Sequence, residues 1–285
     1  CGLLIGRRNR PVRVFCQRCH TGSATCSKSR QRGRSAGEVT RHRKYLATLI
    51  VLCGLLLHSA AGLADSRQVF SATSSPWLRA VGKLQVPGQR YRNGHSSHYL
   101  EDCSATLVSS ATQRDANIII TAWHCLELYS DLSKPILFTA VTVSGESVKR
   151  EALRLADGGG MHADWAILRL RRNISSKQII ALNIHPHSAD PDRPVTMAGY
   201  SRDSGIGDSG QVLTFDPACV IQHQQRSLGD TNCLAHKGAS GGAVIQLSNN
   251  AEPLMCGVIS QGNGEGRSTF VPVSGFRNAI NLYLK

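Results

Sequence analysis

Short runs of Val, Ile, Leu and Thr recur along most of this chain, and each is bounded by Gly, Asp, Asn, Ser or Pro. Runs of this length and composition predict β-strands rather than helices. The predicted strands are 79–86, 104–110, 117–121, 135–143, 164–170, 194–200, 211–222, 242–247, 255–260 and 268–274. Strands in this number, with no helices alternating between them, indicate an all-β domain built as a sandwich or as barrels.

One segment, residues 274–285, has a helical pattern instead. Ser274 stands where a helix N-cap is expected, and a partial apolar stripe is formed by Phe276, Ile280, Leu282 and Leu284. The pattern predicts a single helix at the C-terminal end of the domain.

The residues before position 65 differ in composition from the rest. Residues 1–40 are basic, and we expect them to be disordered or to come from an over-extended gene start. Residues 41–64 begin with basic residues, continue through an apolar run of about a dozen residues and end in small residues, which is typical of a secretory signal peptide. Cleavage after Ala64 fits best, and Ala61 is a second possibility. The apolar run is shorter than the roughly 20 residues that span a bilayer, so we expect no stable membrane span after its removal.

Removing this leader changes the charge of the protein. Twelve of the 33 Lys and Arg residues and one of the 19 Asp and Glu residues precede position 65, so residues 65–285 carry a net charge of +3 rather than +14. The cluster Arg169, Arg171 and Arg172 is short enough to be a solvated strand end. Nucleic-acid binding requires basic charge on the folded part of a chain, so we predict no nucleic-acid partner.

The cysteines divide at the same place. Cys103, Cys125, Cys219, Cys233 and Cys256 remain in the exported part, where oxidising conditions favour two disulfides and one buried free thiol. Cys125 can tie the end of one predicted strand back to Cys103 on the preceding strand. That bond closes a loop of about 23 residues, which the chain-entropy model values at about 3 kcal/mol.

Three polar residues with the chemistry of nucleophilic catalysis lie at the ends of predicted strands. His124 follows an apolar strand in NIIITAWHCLE, Asp164 opens the strand DWAILRL, and Ser240 lies between glycines in KGASGGA. His124 alone is better explained as a core histidine. The ordered set of His, Asp and Ser in these settings instead predicts a base, an orienting acid and a nucleophile.

These segments resemble the chymotrypsin/trypsin-like serine proteases. TAWHC is similar to the family's T-A-A-H-C, GASGGA to its G-D-S-G-G-P, and GVISQG to its G-[IV]-[VI]-S-W-G. DWAILRL is similar to D-[IL]-A-[LI]-[LI]-[RK]-L. The resemblance implies two packed six-stranded antiparallel β-barrels with the active site in the cleft between them, a C-terminal helix and no cofactor.

The resemblance also implies a role for each residue. Ser240 would attack the scissile carbonyl, His124 would take and return the proton, and Asp164 would orient the imidazole. The backbone N–H groups of Gly238 and Ser240 would form the oxyanion hole, and Gly238 supplies the permissive dihedrals that this turn needs.

Substrate-binding residues follow from the same resemblance. Ser260 corresponds to the family's serine beneath the aspartate, and Ser260, Gln261 and Gly262 correspond to the edge that pairs with substrate backbone. Leu234 falls near the base of the specificity pocket and Ser268 on its wall. With no acidic residue there, a preference for Arg or Lys is not supported. Cys219 and Cys233 would bracket the outer wall of the pocket as a disulfide, and Cys256 would stay free and buried.

A second serine, Ser209, lies in the segment GIGDSGQ. This segment contains Gly-Asp-Ser-Gly, the sequence that a search for serine-protease motifs prefers. It lacks the second glycine and the apolar strand that follow Ser240, and it would leave too few strands after Asp164. Ser240 is therefore the predicted nucleophile. The family has an aspartate directly before the nucleophile, and this chain has Ala239 there. Activation through an ion pair between that aspartate and a buried terminal amine is therefore not expected. In this respect the chain most resembles the bacterial, glutamyl-endopeptidase-like branch of the family.

Residues 65–285 are thus identified as a trypsin-like serine protease domain, acting as a secreted or periplasmic endopeptidase on protein or peptide substrates. We expect a monomer with no metal, because the histidine pairs His95 with His98 and His185 with His187 lack a third ligand at a recognisable spacing. The alternative is a secreted, non-catalytic binding protein with the protease fold, since fold alone does not determine function.

Overall fold

The computed structural model describes residues 65–110, 115–130 and 133–284, and the proposed signal peptide and basic segment lie outside this part. The described residues form fifteen strands and one α-helix. In chain order these are β1 (Gln68–Val69), β2 (Val81–Arg92), β3 (His95–Ser109), β4 (Asp115–Thr121), β5 (Ile136–Val141), β6 (Ser147–Asp157), β7 (Ala166–Ser175), β8 (Leu182–Ile184), β9 (Val195–Gly199), β10 (Thr214–Cys219), β11 (Ile221–Gln224), β12 (Gly229–Thr231), β13 (Ala243–Leu247), β14 (Pro253–Gly262), β15 (Ser268–Pro272) and α1 (Arg277–Tyr283). No helix among them is long and apolar enough to cross a membrane.

Six strands close into an antiparallel barrel in the first half of the domain. The ring runs β2–β3–β4–β7–β6–β5 and returns to β2. Its interior is filled by fully buried apolar side chains such as Leu84, Leu107, Ile120, Phe138 and Ile167. Burial of these branched and aromatic residues is the main force that stabilises the barrel.

The second half of the domain forms a similar ring. β9 pairs with β10 and β13, β13 with β14, β14 with β15, β15 with β12, and β12 with β11. Because only one residue separates β10 from β11, the two act as one bent strand and complete a six-stranded barrel. The predicted all-β fold with two barrels is confirmed.

Two elements connect the barrels. The short strand β8 pairs in parallel with β3 of the first barrel and with β14 of the second. Helix α1 follows the second barrel but packs against the first, where Phe276 stacks on Trp165 with ring centroids 4.8 Å apart. The predicted helix is present but shorter than 274–285. Ser274 does not cap it, because it lies in a 3-10 turn and Phe276 holds the N-cap position without a side-chain bond.

The sequence pattern missed several strands. β6 is rich in Lys, Arg and Glu, and only Val148 and Ala152 of its side chains are buried. β2 and β3 continue well beyond the predicted limits as a polar, exposed hairpin that turns at Asn93 and Gly94. These segments were missed because their strand character comes from pairing with neighbours rather than from an apolar run.

Candidate active site

His124 is held rigidly at the end of a buried strand. β4 ends at Thr121 and leads into the 3-10 turn Trp123–Leu126, which contains the histidine. The predicted disulfide between Cys103 and Cys125 is present and ties this turn to β3. The His124 side chain keeps a quarter of its surface exposed, so its imidazole is fixed by the backbone and still reaches the cleft.

Asp164 lies beside His124 and is fully buried. One carboxylate oxygen accepts the His124 backbone N–H at 2.9 Å, and the other accepts from Nδ1 at 2.8 Å and from the Ser260 hydroxyl at 2.5 Å. Burial alone would raise the pKa of Asp164, but the interactions with His124 and Ser260 outweigh it and the pKa lies below its usual value. The ionised carboxylate therefore orients the ring with Nδ1–H towards it and leaves Nε2 for the cleft.

Ser240 lies in a tight turn whose backbone amides are unequally engaged. The N–H groups of Ala239, Gly241 and Gly242 donate to backbone carbonyls at 2.7–3.0 Å. Those of Gly238 and Ser240 donate no hydrogen bond within the described part of the chain. An available N–H on the serine itself and a second one two residues before it can together bind an oxyanion.

The backbone of Gly238 explains why this position needs glycine. Its φ is +96°, in the left-handed region. A Cβ atom there would also lie 2.5 Å from the carbonyl oxygen of Tyr200. Both the dihedral and the close approach exclude a side chain.

Ser240 and His124 line the same cavity, which has a volume of about 700 Å³. The Ser240 hydroxyl donates to the Ser260 carbonyl at 3.3 Å rather than to His124. A rotation of the serine side chain would be needed to bring its Oγ onto Nε2. Catalytic hydrogen bonds are often loose without substrate, so this geometry is compatible with a nucleophile and its base.

Comparison with known proteins agrees with this arrangement. The model of the trypsin-like peptidase domain family matches residues 103–251, a span that includes His124, Asp164 and Ser240. This chain belongs to the trypsin-like peptidase family. A search of curated proteins found no significant match.

Solved structures show the same fold as this trypsin-like peptidase. A Glu endopeptidase is 17% identical, with 78% of this chain and 98% of that chain covered and a TM-score of 0.54. The thermostable serine protease AL20 from an extremophilic microorganism is 19% identical, with 72% and 96% covered and a TM-score of 0.51. An inactivated protease paralogue of the scabies mite is 14% identical, with 76% and 95% covered and a TM-score of 0.53. At these identities the likeness establishes the fold alone.

The predicted substrate-binding residues of the trypsin-like domain separate into two groups. Ser260, Gln261 and Gly262 line the cavity with Ser240. Leu234 and Ser268 do not. Leu234 lines a neighbouring cavity of about 380 Å³, and Ser268 is buried with its hydroxyl donating to the Cys233 carbonyl at 2.8 Å.

Other residues of the site cavity were not predicted. Its lining includes the cationic or titratable side chains of His236, Lys237 and Arg267, together with Thr269. The only sequence signal for them was their position near Ser240 and β15.

Ser104 is a residue of the site that the sequence analysis missed. It is fully buried in β3, and its N–H donates to the Ser240 carbonyl at 2.8 Å. Its hydroxyl donates to the Gly238 carbonyl and accepts the Tyr200 N–H, both at 2.8 Å. One side chain from the first barrel thus holds the turn of the second barrel that carries Ser240. The available signal was a serine directly after Cys103, at the start of the predicted strand 104–110.

The remaining predictions concern the other three cysteines of the domain and the second serine, Ser209. Cys219 and Cys233 form the second disulfide, and Cys256 is free and buried, which raises the pKa of its thiol to about 12. Ser209 lies in an exposed 3-10 turn with φ of +55° and is absent from the lining of the Ser240 cavity.

Proposed function

We propose that this protein is an exported serine endopeptidase that cleaves peptide bonds through an acyl-enzyme. The observation that carries the proposal is the pairing of Asp164 with His124 at the mouth of the cavity that also contains Ser240. Membership of the trypsin-like peptidase family supports peptidase activity in general. The two disulfides support folding in an oxidising compartment, either outside the cell or in the periplasm.

The proposed reaction begins with proton transfer from Ser240 Oγ to His124 Nε2 as the oxygen attacks the carbonyl carbon of the substrate. Asp164 stabilises the imidazolium that forms, because its carboxylate accepts the Nδ1–H bond at 2.8 Å. His124 then gives the proton to the leaving amine, and an acyl-enzyme remains on Ser240. Water, activated by the same histidine, hydrolyses this ester and regenerates the serine.

The oxyanion formed in each step would be bound by the N–H groups of Gly238 and Ser240. Among the described residues neither donor has an acceptor, so no hydrogen bond within that part of the chain has to break before they bind the negative charge. Preorganised donors of this kind usually contribute a large part of the rate enhancement.

We extend the proposal to a preference for acidic side chains in the substrate. The described residues that line the cavity include Lys237, Arg267 and His236 and no carboxylate. A substrate carboxylate placed there would be attracted by both permanent cations. The fold is shared with a protein named as a Glu endopeptidase, which is consistent with this preference.

Labelling with a fluorophosphonate probe followed by peptide mapping tests the proposed nucleophile. We expect modification of Ser240 in the full chain and its loss in His124→Ala. Label on Ser209 instead would overturn the assignment. Absence of label on the folded protein would contradict the peptidase proposal.

The substrate preference is tested with a peptide library and the Arg267→Gln variant. We expect kcat/KM for acidic peptides to fall relative to neutral peptides. Arg171→Gln is the matched control, because Arg171 is also exposed and also pairs with a single carboxylate, but lies on the first barrel. A library with no preference for acidic residues would contradict this part of the proposal alone.

A non-catalytic binding protein is the second candidate. It is favoured by the Ser240 hydroxyl, which bonds the Ser260 carbonyl instead of His124, and an inactivated protease paralogue has the same fold. Such a protein would give no label while remaining folded, so the same experiment separates the two candidates.

A further inference from the structure

Arg67 is the most deeply buried charged side chain near the start of the described residues, with only 2% of its side chain exposed. Its guanidinium makes two bonds to the Asp203 carboxylate, at 2.7 and 3.0 Å, and two to the Asp65 carboxylate, at 3.0 and 2.7 Å. The hydrogen bonds from Arg67 lower the pKa of Asp203 to about 2. Paired bidentate contacts of this kind fix both position and orientation.

Asp203 belongs to the loop formed by residues 201–211. This loop packs against residues 238–240, which contain both proposed oxyanion donors and are called the oxyanion turn. The Arg202 N–H donates to the Lys237 carbonyl at 2.7 Å, next to Gly238. A Cβ atom on Gly238 would lie 2.7 Å from Cγ of Arg202, so the Arg202 side chain packs directly against Gly238. Movement of the loop would therefore displace the turn that carries the Gly238 N–H.

The loop has little intrinsic preference for its conformation. Asp208 and Ser209 both have positive φ values, 44° and 55°, which are unfavourable for residues with a side chain. The Asp203 carboxylate accepts the Gly207 N–H at 3.3 Å, and the Asp203 carbonyl accepts the Ser209 N–H at 2.9 Å. Asp203, which Arg67 binds, therefore also makes the hydrogen bonds that stabilise the loop internally.

The same N-terminal segment also contacts the other side of the turn. The Ser66 hydroxyl donates to one oxygen of the buried Asp216 carboxylate at 2.8 Å. That oxygen also accepts the Leu234 N–H at 2.6 Å, and Leu234 leads into residues 235–240. Ser66 and Arg67 therefore connect the two chain segments that flank the oxyanion turn.

Residues 238–240, which form the oxyanion turn, carry no charged side chain that could anchor it. Ala239, between the two proposed donors, is buried and apolar. Support must come from backbone bonds, from Ser104 and from the loop behind Gly238.

We propose that Arg67 is a positioning residue for the proposed reaction: by binding Asp203 it holds loop 201–211 against Gly238 and so keeps the oxyanion-hole N–H in place. The inference rests on the proposed function. Removing one partner of a buried ion pair leaves the other charge uncompensated, so loss of Arg67 is expected to release Asp203 and the loop. A displacement of about 1 Å at such a donor is enough to lower a rate about 100-fold.

The test uses the full chain with Arg67→Ala and measures peptidase kcat and KM together with the rate of Ser240 labelling by a fluorophosphonate. We expect kcat and the labelling rate to fall about 10- to 100-fold, with KM changed much less, because the donor acts on the transition state. Arg79→Ala is the matched control. Arg79 also anchors the N-terminal part of the domain, through a bond to the Thr142 carbonyl, but on the first barrel.

Chemical rescue separates positioning from general destabilisation. Methylguanidinium at millimolar concentration should occupy the space left by the Arg67 side chain, bind Asp203 and restore labelling of Arg67→Ala. Urea at the same concentration is a neutral molecule of similar shape and should not restore it. Neither compound should change Arg79→Ala.

Each outcome decides one of the two proposals. An unlabelled wild-type protein would remove the proposed function and this inference with it. A labelled wild type with equal labelling of Arg67→Ala would overturn only the inference. If Arg67→Ala does not fold, Asp203→Asn replaces it, because it keeps the shape and removes the charge. Wild-type labelling of that variant would overturn the inference, and a slower rate would support it.

Discussion

At the scale of single residues, the geometry of residues 238–240 depends on backbone conformation more than on side-chain chemistry. Gly238 has a φ of +96°, and a Cβ atom there would meet the Tyr200 carbonyl oxygen and the Arg202 side chain. Since the proposed oxyanion donors are amides, their direction is determined by dihedral angles and by packing behind them. A change that leaves His124, Asp164 and Ser240 intact can therefore still abolish the proposed reaction.

Gly238→Ala should lower the rate of fluorophosphonate labelling of Ser240 by about 100-fold or more, because the added methyl group displaces an oxyanion donor. Gly94→Ala is the control. Gly94 also has a positive φ, +78°, but a Cβ there meets nothing within 4 Å. An equal loss in both variants would attribute the effect to backbone strain alone and contradict the role given to Gly238.

Asp203 should make the stability of the protein depend on acid pH. Arg67 lowers the folded-state pKa of Asp203 to about 2, below the roughly 3.9 of an unfolded chain. The unfolded state therefore takes up the proton first, so this stabilisation is complete above about pH 5 and is lost as the pH falls from about 4 to about 2.

Urea unfolding at pH 5, 4, 3 and 2 measures this dependence in the wild type, in Asp203→Asn and in the exposed control Asp192→Asn. Asp203→Asn should show a shallower loss of stability below pH 4 than the other two proteins. Three identical pH profiles would show that the Arg67–Asp203 pair does not titrate as described.

At the scale of elements, His124 is positioned by a short 3-10 turn that could not hold a fixed conformation alone. Trp123–Leu126 has no side-chain cap at its start. It is held instead by the Cys103–Cys125 disulfide and by the bond from the His124 N–H to Asp164. The strand, the disulfide and the hydrogen bonds to Asp164 together fix the His124 side chain.

Replacing both Cys103 and Cys125 with Ser should lower the free energy of unfolding by about 3 kcal/mol and also slow the labelling of Ser240. Replacing Cys219 and Cys233 is the comparison, since that bond closes a shorter loop, with a sequence separation of 14 against 22. The second pair should cost similar stability with less effect on labelling. The reverse order of labelling rates would argue against a role for the first disulfide in fixing His124.

At the scale of the whole molecule, the site is assembled from both barrels. His124 and Asp164 come from the first barrel and Ser240 from the second, and Ser104 bonds across to the Ser240 carbonyl. Helix α1 strengthens the junction, because it follows the second barrel in sequence and packs on the first at Trp165, next to Asp164. Packing between the barrels therefore supports the Asp164–His124 pair as well as the fold.

Phe276→Ala should destabilise the protein by about 3 kcal/mol, because it removes a buried aromatic ring stacked on Trp165. Leu282→Ala in helix α1, which Phe276 caps, is the control, since Leu282 is 63% exposed, and its effect should be within about 0.5 kcal/mol. Urea unfolding followed by tryptophan fluorescence measures both. Equal stabilities would show that α1 does not anchor the first barrel.

The sequence could predict the elements whose signal is local. Ten of the strands were visible as apolar runs, because buried β-strands require a continuous or alternating series of Val, Ile and Leu. The polar ends of β2 and β3 were missed, although the Asn93–Gly94 turn that joins them has the positive φ values of 50° and 78° that Asn-Gly favours. β6 had no local signal, because it is held by pairing with β5 and β7.

By itself, the sequence predicted the all-β class, the Cys103–Cys125 disulfide and the three residues proposed for catalysis, because each has a local signal in residue type and setting. The Cys219–Cys233 disulfide and the free Cys256 were predicted from the family resemblance. Only the tertiary structure brought Arg67 to Asp203, more than a hundred positions away, placed Ser104 under the oxyanion turn and put Thr269 rather than Ser268 in the cavity. These arrangements depend on which segments meet when two barrels pack. No local pattern of residues carries that information, because it follows from the burial of the whole chain at once.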